Sequence, residues 1–206
     1  MRSPVFCIGP NKSGTTSLEA FFKHHGYICG NQIRGENLIP AYARGQWEPI
    51  LELASTAEFF QDVPFSTSDV YPYLDQHFPE GKYILTKRKS AAVWVDSLTK
   101  FHSQKFGTGG QVPSPAELKA ATYRYPGYMF ESMQAIFKTP ENDMYNREKL
   151  LKWYEDHLTD ARKYFAGKSD FLEVDISEFE AAQKIATFVG WNRVKYPMPY
   201  LNKTDN

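Results

Sequence analysis

Apolar residues fall along the chain in short blocks that alternate between two periods. Val5-Phe6-Cys7-Ile8 is a continuous apolar run of strand length that stops at Gly9-Pro10. Thr15 to His25 follows, with Leu18, Phe21 and Phe22 at the three- and four-residue spacing of one helix face, and Gly26 ends it. Tyr27 to Cys29 reads as a short second strand. Residues 36–56 have helical character interrupted by Pro40, Gly45 and Pro49. Ala57 to Gln61 reads as a strand leading into Asp62-Val63-Pro64, and Ser66-Thr67-Ser68-Asp69 predicts the cap of a helix that runs to His77. Lys82 to Lys87 is a strong strand, with a helix predicted from about Ser90 to Phe106. Residues 107–115 carry three glycines and two prolines, which points to a lid or hinge. A helical half follows, with a long helix over about Asn142 to Ala166, a strand over Asp170 to Asp175 and a last helix from Ser177 to Val189. Strands alternating with helices predict a three-layer α/β fold with a central, mostly parallel sheet flanked by helices.

Composition narrows the picture. A length of 206 residues favours a single domain over residues 1–206. Lys plus Arg and Asp plus Glu both number 24, so the net charge is zero, which argues against a nucleic-acid or anionic-membrane binder. No apolar run approaches the ~18 residues of a membrane span, and the first one is too short for a signal peptide. Cys7 and Cys29 lie in apolar segments and read as two buried thiols of a reducing compartment. A cytoplasmic protein is expected. No His, Cys and Asp cluster has metal spacing, so no metal site is expected. His24 and His25 read as helix C-terminal residues, His77 and His102 as surface residues, and His157 as a packing or helix-bridging residue.

The most specific chemistry lies at Gly9-Pro10-Asn11-Lys12-Ser13-Gly14-Thr15-Thr16, between a strand and a helix. There, backbone N–H groups converge and the helix dipole adds about half a positive charge. Lys12 adds a full charge and the threonines add donors, so the segment is an anion cradle. Gly9 and Gly14 have the spacing of a nucleoside-triphosphate P-loop, but Thr15 stands where that motif places lysine. The fold is therefore P-loop-like, with the cation moved.

The run Lys12-Ser13-Gly14-Thr15-Thr16 resembles the 5′-phosphosulfate loop of the sulfotransferases that use 3′-phosphoadenosine 5′-phosphosulfate (PAPS). The resemblance implies that Lys12 stabilises charge on the bridging oxygen. It also implies that Ser13, Gly14, Thr15, Thr16 and Ser17 surround the 5′-phosphate. A second block, Lys82 to Leu98, is similar to the family's 3′-phosphate site, an arginine at a strand end followed by a serine in the next helix. This implies Arg88 and Ser97. Their separation is nine positions where the family usually has eight, so Lys89 is the alternative ligand, and Ser90 replaces a frequent proline. Arginine suits the task because its fork donates two parallel hydrogen bonds.

Between the blocks, cytosolic sulfotransferases place a histidine, an apolar residue and a proline. Asp62-Val63-Pro64 stands there, which implies Asp62 as the base, with Glu58 as a rival. An ordinary aspartate is a weak base, so burial has to raise its pKa. The family's cytosolic branch stacks adenine on a tryptophan where this chain has Ser17, leaving Trp47, Trp94, Phe101 and Tyr125 as open alternatives. The aromatic turn Tyr123 to Tyr128 reads equally as acceptor wall, adenine platform or core. The resemblance covers most of the chain, including the final Pro-Tyr-Leu-Asn-Lys, with its specific motifs between residues 9 and 97.

The implied activity is sulfuryl transfer from PAPS, with no metal, to a hydroxyl or amine of a small-molecule or carbohydrate acceptor. A small P-loop kinase and a catalytically silent nucleotide-binding protein are the alternatives, and oligomeric state stays open. Charge by segment fits a bis-anionic cofactor: residues 1–45 carry +3, 46–81 carry −7, 82–105 carry +5 and the remainder −1. The acidic block beside the two basic ones suits a neutral or cationic acceptor.

Overall fold

The computed structural model describes residues 2–199 and 201. Four short parallel strands form the centre: β1 (Val5–Cys7), β2 (Phe59–Phe60), β3 (Lys82–Thr86) and β4 (Phe171–Val174), in the order β2-β1-β3-β4. Val5 pairs with Phe59 and Lys82, and Tyr83 pairs with Phe171. The fold is α/β with helices on both faces.

Side-chain alternation along each strand decides which layer it feeds. Val5, Cys7, Phe59, Ile84 and Val174 point to one face. There they pack with Leu18, Phe21 and Phe22 of α1 (Thr15–His24) and Ile185 of α10 (Ala181–Val189). Phe6, Ile8, Phe60, Tyr83 and Leu85 point to the other. The larger layer there holds α2 (Gln32–Glu36), α3 (Ile39–Ala43), α4 (Glu48–Ala54), α5 (Tyr71–His77), α6 (Ala91–Phe106), α7 (Pro115–Ala120), α8 (Tyr128–Phe137) and α9 (Arg147–Tyr164).

Several local expectations are corrected. Pro40, Pro49 and Pro72 open α3, α4 and α5 at their first or second positions, where a missing N–H costs nothing. Ser66 and Thr67 are buried in a turn and do not cap α5, which starts after Val70 without a side-chain cap. Tyr27 to Cys29 contributes one isolated bridge, Cys29 to Phe59, and no strand. Both cysteines are free thiols, but only Cys7 is fully buried; Cys29 is half-exposed. The long helix starts at Arg147, where the Asn146 side chain accepts from the Lys149 N–H, and the last helix starts at Ala181. Residues 107–115 are pinned at both ends. Glu117 accepts from the Thr108 N–H at 2.8 Å and from the Ser114 N–H at 2.7 Å, which argues against a hinge there. No described helix is long and apolar enough to cross a membrane. Of the tail, Tyr200 and residues 202–206 lie outside the described residues.

Candidate active site

All strands run the same way, so the residues that follow β1, β2 and β3 emerge at one edge of the sheet. These are the Gly9 loop, Asp62 and Arg88. The order β2-β1-β3 makes β1 the switch point of the sheet, where parallel α/β folds leave a crevice. A cavity of about 390 Å³ lies there, lined by Asn11, Lys12, Gly14, Thr15, Thr16, Asp62 and Arg88 among others.

Close packing shapes the loop. A Cβ on Gly9 would sit 2.1 Å from Thr86 Oγ1, and one on Gly14, at φ +95°, would strike Ile176 at 2.2 Å. The loop carbonyls are drawn inward. His157 Nε2 bonds Ile8 O at 2.7 Å, Trp94 Nε1 donates to Asn11 O at 2.7 Å and Arg88 Nε donates to Lys12 O at 2.6 Å. Three carbonyls along this segment are thus fixed by side-chain donors from α6, α9 and the end of β3, which holds the loop in place. The first turn of α1 has no side-chain cap, so its leading N–H groups remain for an anion.

The side chains divide. Lys12 is half-buried, with Nζ 3.8 Å above the Phe101 ring centre. Burial, then Arg88 and Lys105, lower its pKa, while Asp62 opposes the shift. Ser13 turns inward: its Oγ donates to Pro10 O at 2.5 Å and meets Thr86 Oγ1 at 2.5 Å, so its hydroxyl is spent on the fold. Ser17 is buried and accepts from the Leu201 N–H at 3.0 Å. Arg88 lines the cavity, whereas Lys89 is exposed away from it. Ser97 is buried with an unpartnered Oγ; it is not among the lining residues, although Leu98 and Phe101 on the same helix are.

Asp62 is buried and adopts φ +67°, as does Lys12. With Lys138, they are the only non-glycine residues at positive φ among the described ones. Such backbone is disfavoured for side chains other than glycine and often marks a functional position. Burial first, then the nearby Glu36, push the Asp62 carboxyl up to about 7. The rival Glu58 lies at the other end of β2. It accepts from the Arg2 and Ile28 N–H groups, which hold it below the usual carboxylate range, so it is removed from the site.

His102, Gln32 and Glu36 escaped the sequence reading, and the aromatic turn it left open is placed. His102, expected at the surface, is buried in the cavity wall, where Nδ1 pairs with Tyr145 Oη at 2.9 Å. Burial, then Lys12 and Lys105, push it down to about 3. Gln32 and Glu36 bring a second buried carboxylate beside Asp62, and Arg124 pairs with Glu36. The far wall is apolar, built from Phe101, Phe106, Tyr123, Tyr128, Met129 and Met133. The Tyr123–Tyr128 turn therefore contributes to this wall. Trp94 is fully buried against Trp153 and Tyr154 and offers no open stacking face, and Trp47 stacks on Tyr73 outside the cavity. Among the described residues no group of three or more His, Cys, Asp or Glu could hold a metal ion.

The switch-point edge of this parallel α/β sheet thus carries a glycine-bounded loop, two cationic side chains and a buried acid around one cavity. The sulfotransferase domain family matches residues 4–206, and the chain belongs to that family. No curated protein matches the chain.

Proposed function

We infer that the chain, acting as one domain over residues 1–206, transfers a sulfuryl group from PAPS to a hydroxyl or amine of a small acceptor with an apolar body. The observation that carries this is the convergence of Lys12, the uncapped first turn of α1, Arg88 and Asp62 on one cavity. The donor set fits PAPS: a cradle that tolerates no Cβ at Gly9 or Gly14 takes the phosphosulfate end, and Arg88 takes the 3′-phosphate. PAPS supplies the activated sulfuryl group. Gly14, Thr15 and Thr16 offer amides and hydroxyls to the 5′-phosphate, whereas the hydroxyls of Ser13 and Ser17 serve the loop and the tail.

The chemistry assigned to the protein is positioning, charge stabilisation and one proton transfer. The acceptor oxygen or nitrogen forms a bond to sulfur while the bond from sulfur to the bridging phosphate oxygen breaks. Lys12 and the helix N-terminus stabilise the charge that develops on that oxygen. Asp62 takes the acceptor's proton. Of the candidate bases in the cavity, Glu36 is tied to Arg124, and the other two differ by their surroundings. Asp62, near 7, is matched to neutral pH, while His102, near 3, is too weak and has one ring nitrogen already paired. The apolar wall suits a ring-bearing or aliphatic acceptor body, with the polar residues on the opposite side left for its reacting group. The two unpaired cysteines support a cytoplasmic setting.

Binding of 3′-phosphoadenosine 5′-phosphate and of ATP with magnesium, each with and without EDTA, tests the donor. Tight, metal-independent binding of the bisphosphate is expected. ATP binding that vanishes with EDTA would instead identify a kinase. Bisphosphate binding without turnover across phenols, alcohols and amines would identify a silent binder.

A further inference from the structure

Asp62 shares the cavity with a second buried carboxylate, Glu36, to which no role has yet been given. The link between them is Gln32. Its Nε2 donates to Asp62 Oδ2 at 3.1 Å and to Glu36 Oε1 at 3.2 Å, so the two hydrogens of one amide nitrogen serve two acids. Glu36 Oε2 is held from the other side by Arg124 Nε. Asp62 Oδ1 accepts from the Val63 N–H at 2.7 Å. The Asn11 side chain adds a further hydrogen bond to Asp62, and each carboxylate oxygen, with two lone pairs, still has capacity for a proton beside its Gln32 or Val63 donor.

This arrangement has a direction. A flipped Gln32 amide would turn its oxygen toward two carboxylates. Glu36, anchored by Arg124, therefore selects the orientation that aims the NH₂ group at Asp62.

We propose that Gln32 and Glu36 are a positioning pair for Asp62, with Glu36 setting the sense of the Gln32 amide and the amide setting the rotation of the Asp62 carboxylate. The proposal rests on Asp62 being the base in the reading above. Electrostatics act in the same place. The titratable groups that influence Asp62 are Cys7 in β1, Lys12 in the loop, Glu36 in α2, and Tyr123, Arg124 and Tyr128 around the start of α8. Burial pushes the thiol and both phenols up, so they stay neutral and Glu36 is the one carboxylate of the set. Removing it takes away a like charge, whereas removing the Gln32 donor takes away a hydrogen bond to the anion. The two changes move Asp62 in opposite directions.

The test follows kcat/KM for an accepted acceptor against pH in the full-length wild type, Glu36→Gln and Gln32→Met. A parallel titration follows the Asp62 side-chain carbon by ¹³C NMR. Wild-type activity is expected to rise as Asp62 ionises near pH 7. In Glu36→Gln the acidic limb and the NMR midpoint move down by about one pH unit, and the plateau falls about tenfold. In Gln32→Met both midpoints move up and the plateau falls by a similar factor. The Kd of 3′-phosphoadenosine 5′-phosphate is expected to stay within about twofold of wild type in both. Midpoints that stay put, or that move the same way in both variants, overturn the pair. Loss of bisphosphate binding in both variants overturns it as well, because the residues would then serve the fold. A wild type that turns over no acceptor refutes the sulfotransferase reading separately, and the NMR midpoints still judge the pair.

Discussion

The donor side of the cavity is shaped by main chain, and the acceptor side by side chains that meet from far apart in sequence. On the donor side, Gly9, Asn11 to Gly14 and the first turn of α1 form one continuous segment, and buried donors secure its carbonyls. On the acceptor side, Asp62 depends on Gln32 and Glu36 from α2 and on Arg124, which lies far beyond it in the chain just before α8. The first kind of site depends on its backbone path, with no room for a Cβ at Gly9 or Gly14, and on the few side chains, such as Lys12 and Arg88, that project from it. The second tolerates change in neither partner of a contact, because each buried polar group was desolvated on the understanding of a specific neighbour.

The sharpest way to break the comparison is Asp62→Asn. Loss of the base is expected to lower kcat/KM by about 10²–10⁴-fold with bisphosphate affinity retained. The same change carries a stability sign. Asp62 has a folded pKa of about 7 against an ordinary value of 3.8, so the native state holds a proton that the unfolded chain has already released. Wild-type stability therefore declines as pH rises from about 4 through 7. Asp62→Asn removes that decline. Denaturant melts are expected to show the variant more stable than wild type at pH 8, by on the order of a few kcal/mol, with little gain below about pH 4. An inactive variant that is also no more stable at pH 8 would show that Asp62 is not the proton acceptor described.

Next in size is Lys12→Ala, for which a loss of about 10²–10³ in kcat is expected from removing one charge at the leaving oxygen. Arg88→Ala then separates the two basic candidates. Calorimetry is expected to show bisphosphate binding weakened roughly tenfold or more, while Lys89→Ala stays within about twofold. The smallest effect belongs to the apolar wall. Met133→Ala is expected to raise the acceptor KM several-fold with bisphosphate affinity unchanged and, because Met133 is also packed in the core, to cost about 2–5 kcal/mol in denaturant melts.

The same division explains what the sequence discloses. The layers, the strand ends, the loop and Arg88 are legible because each follows an apolar run and is written locally. Asp62 is legible through its position before Val63-Pro64. Glu36 is not: it sits between Gly35 and Asn37 and reads like any surface acid, and only the approach of α2 to the residues after β2 buries it. His102, among Lys100, Ser103, Gln104 and Lys105, also looks exposed until Tyr145 covers it. Ser66 to Asp69 has the composition of a helix cap, yet tertiary packing buries Ser66 and Thr67 in a turn. Ser13 matches a ligand motif while its hydroxyl faces Thr86, a preference no local pattern reveals.

The seams between the loop and β3 have a consequence for selectivity. Gly9 packs close to Thr86, Ser13 bonds Thr86 and Arg88 grips Lys12 O, so the backbone of Lys12 and the Arg88 guanidinium belong to one block, with the Lys12 ammonium resting over the Phe101 ring. A block of this kind behaves as a caliper locked at one opening. A ligand whose two anionic ends match that opening binds without distorting anything. One with a different span must surrender one end, whatever its total charge, so discrimination among ligands with two anionic ends becomes a measurement of length.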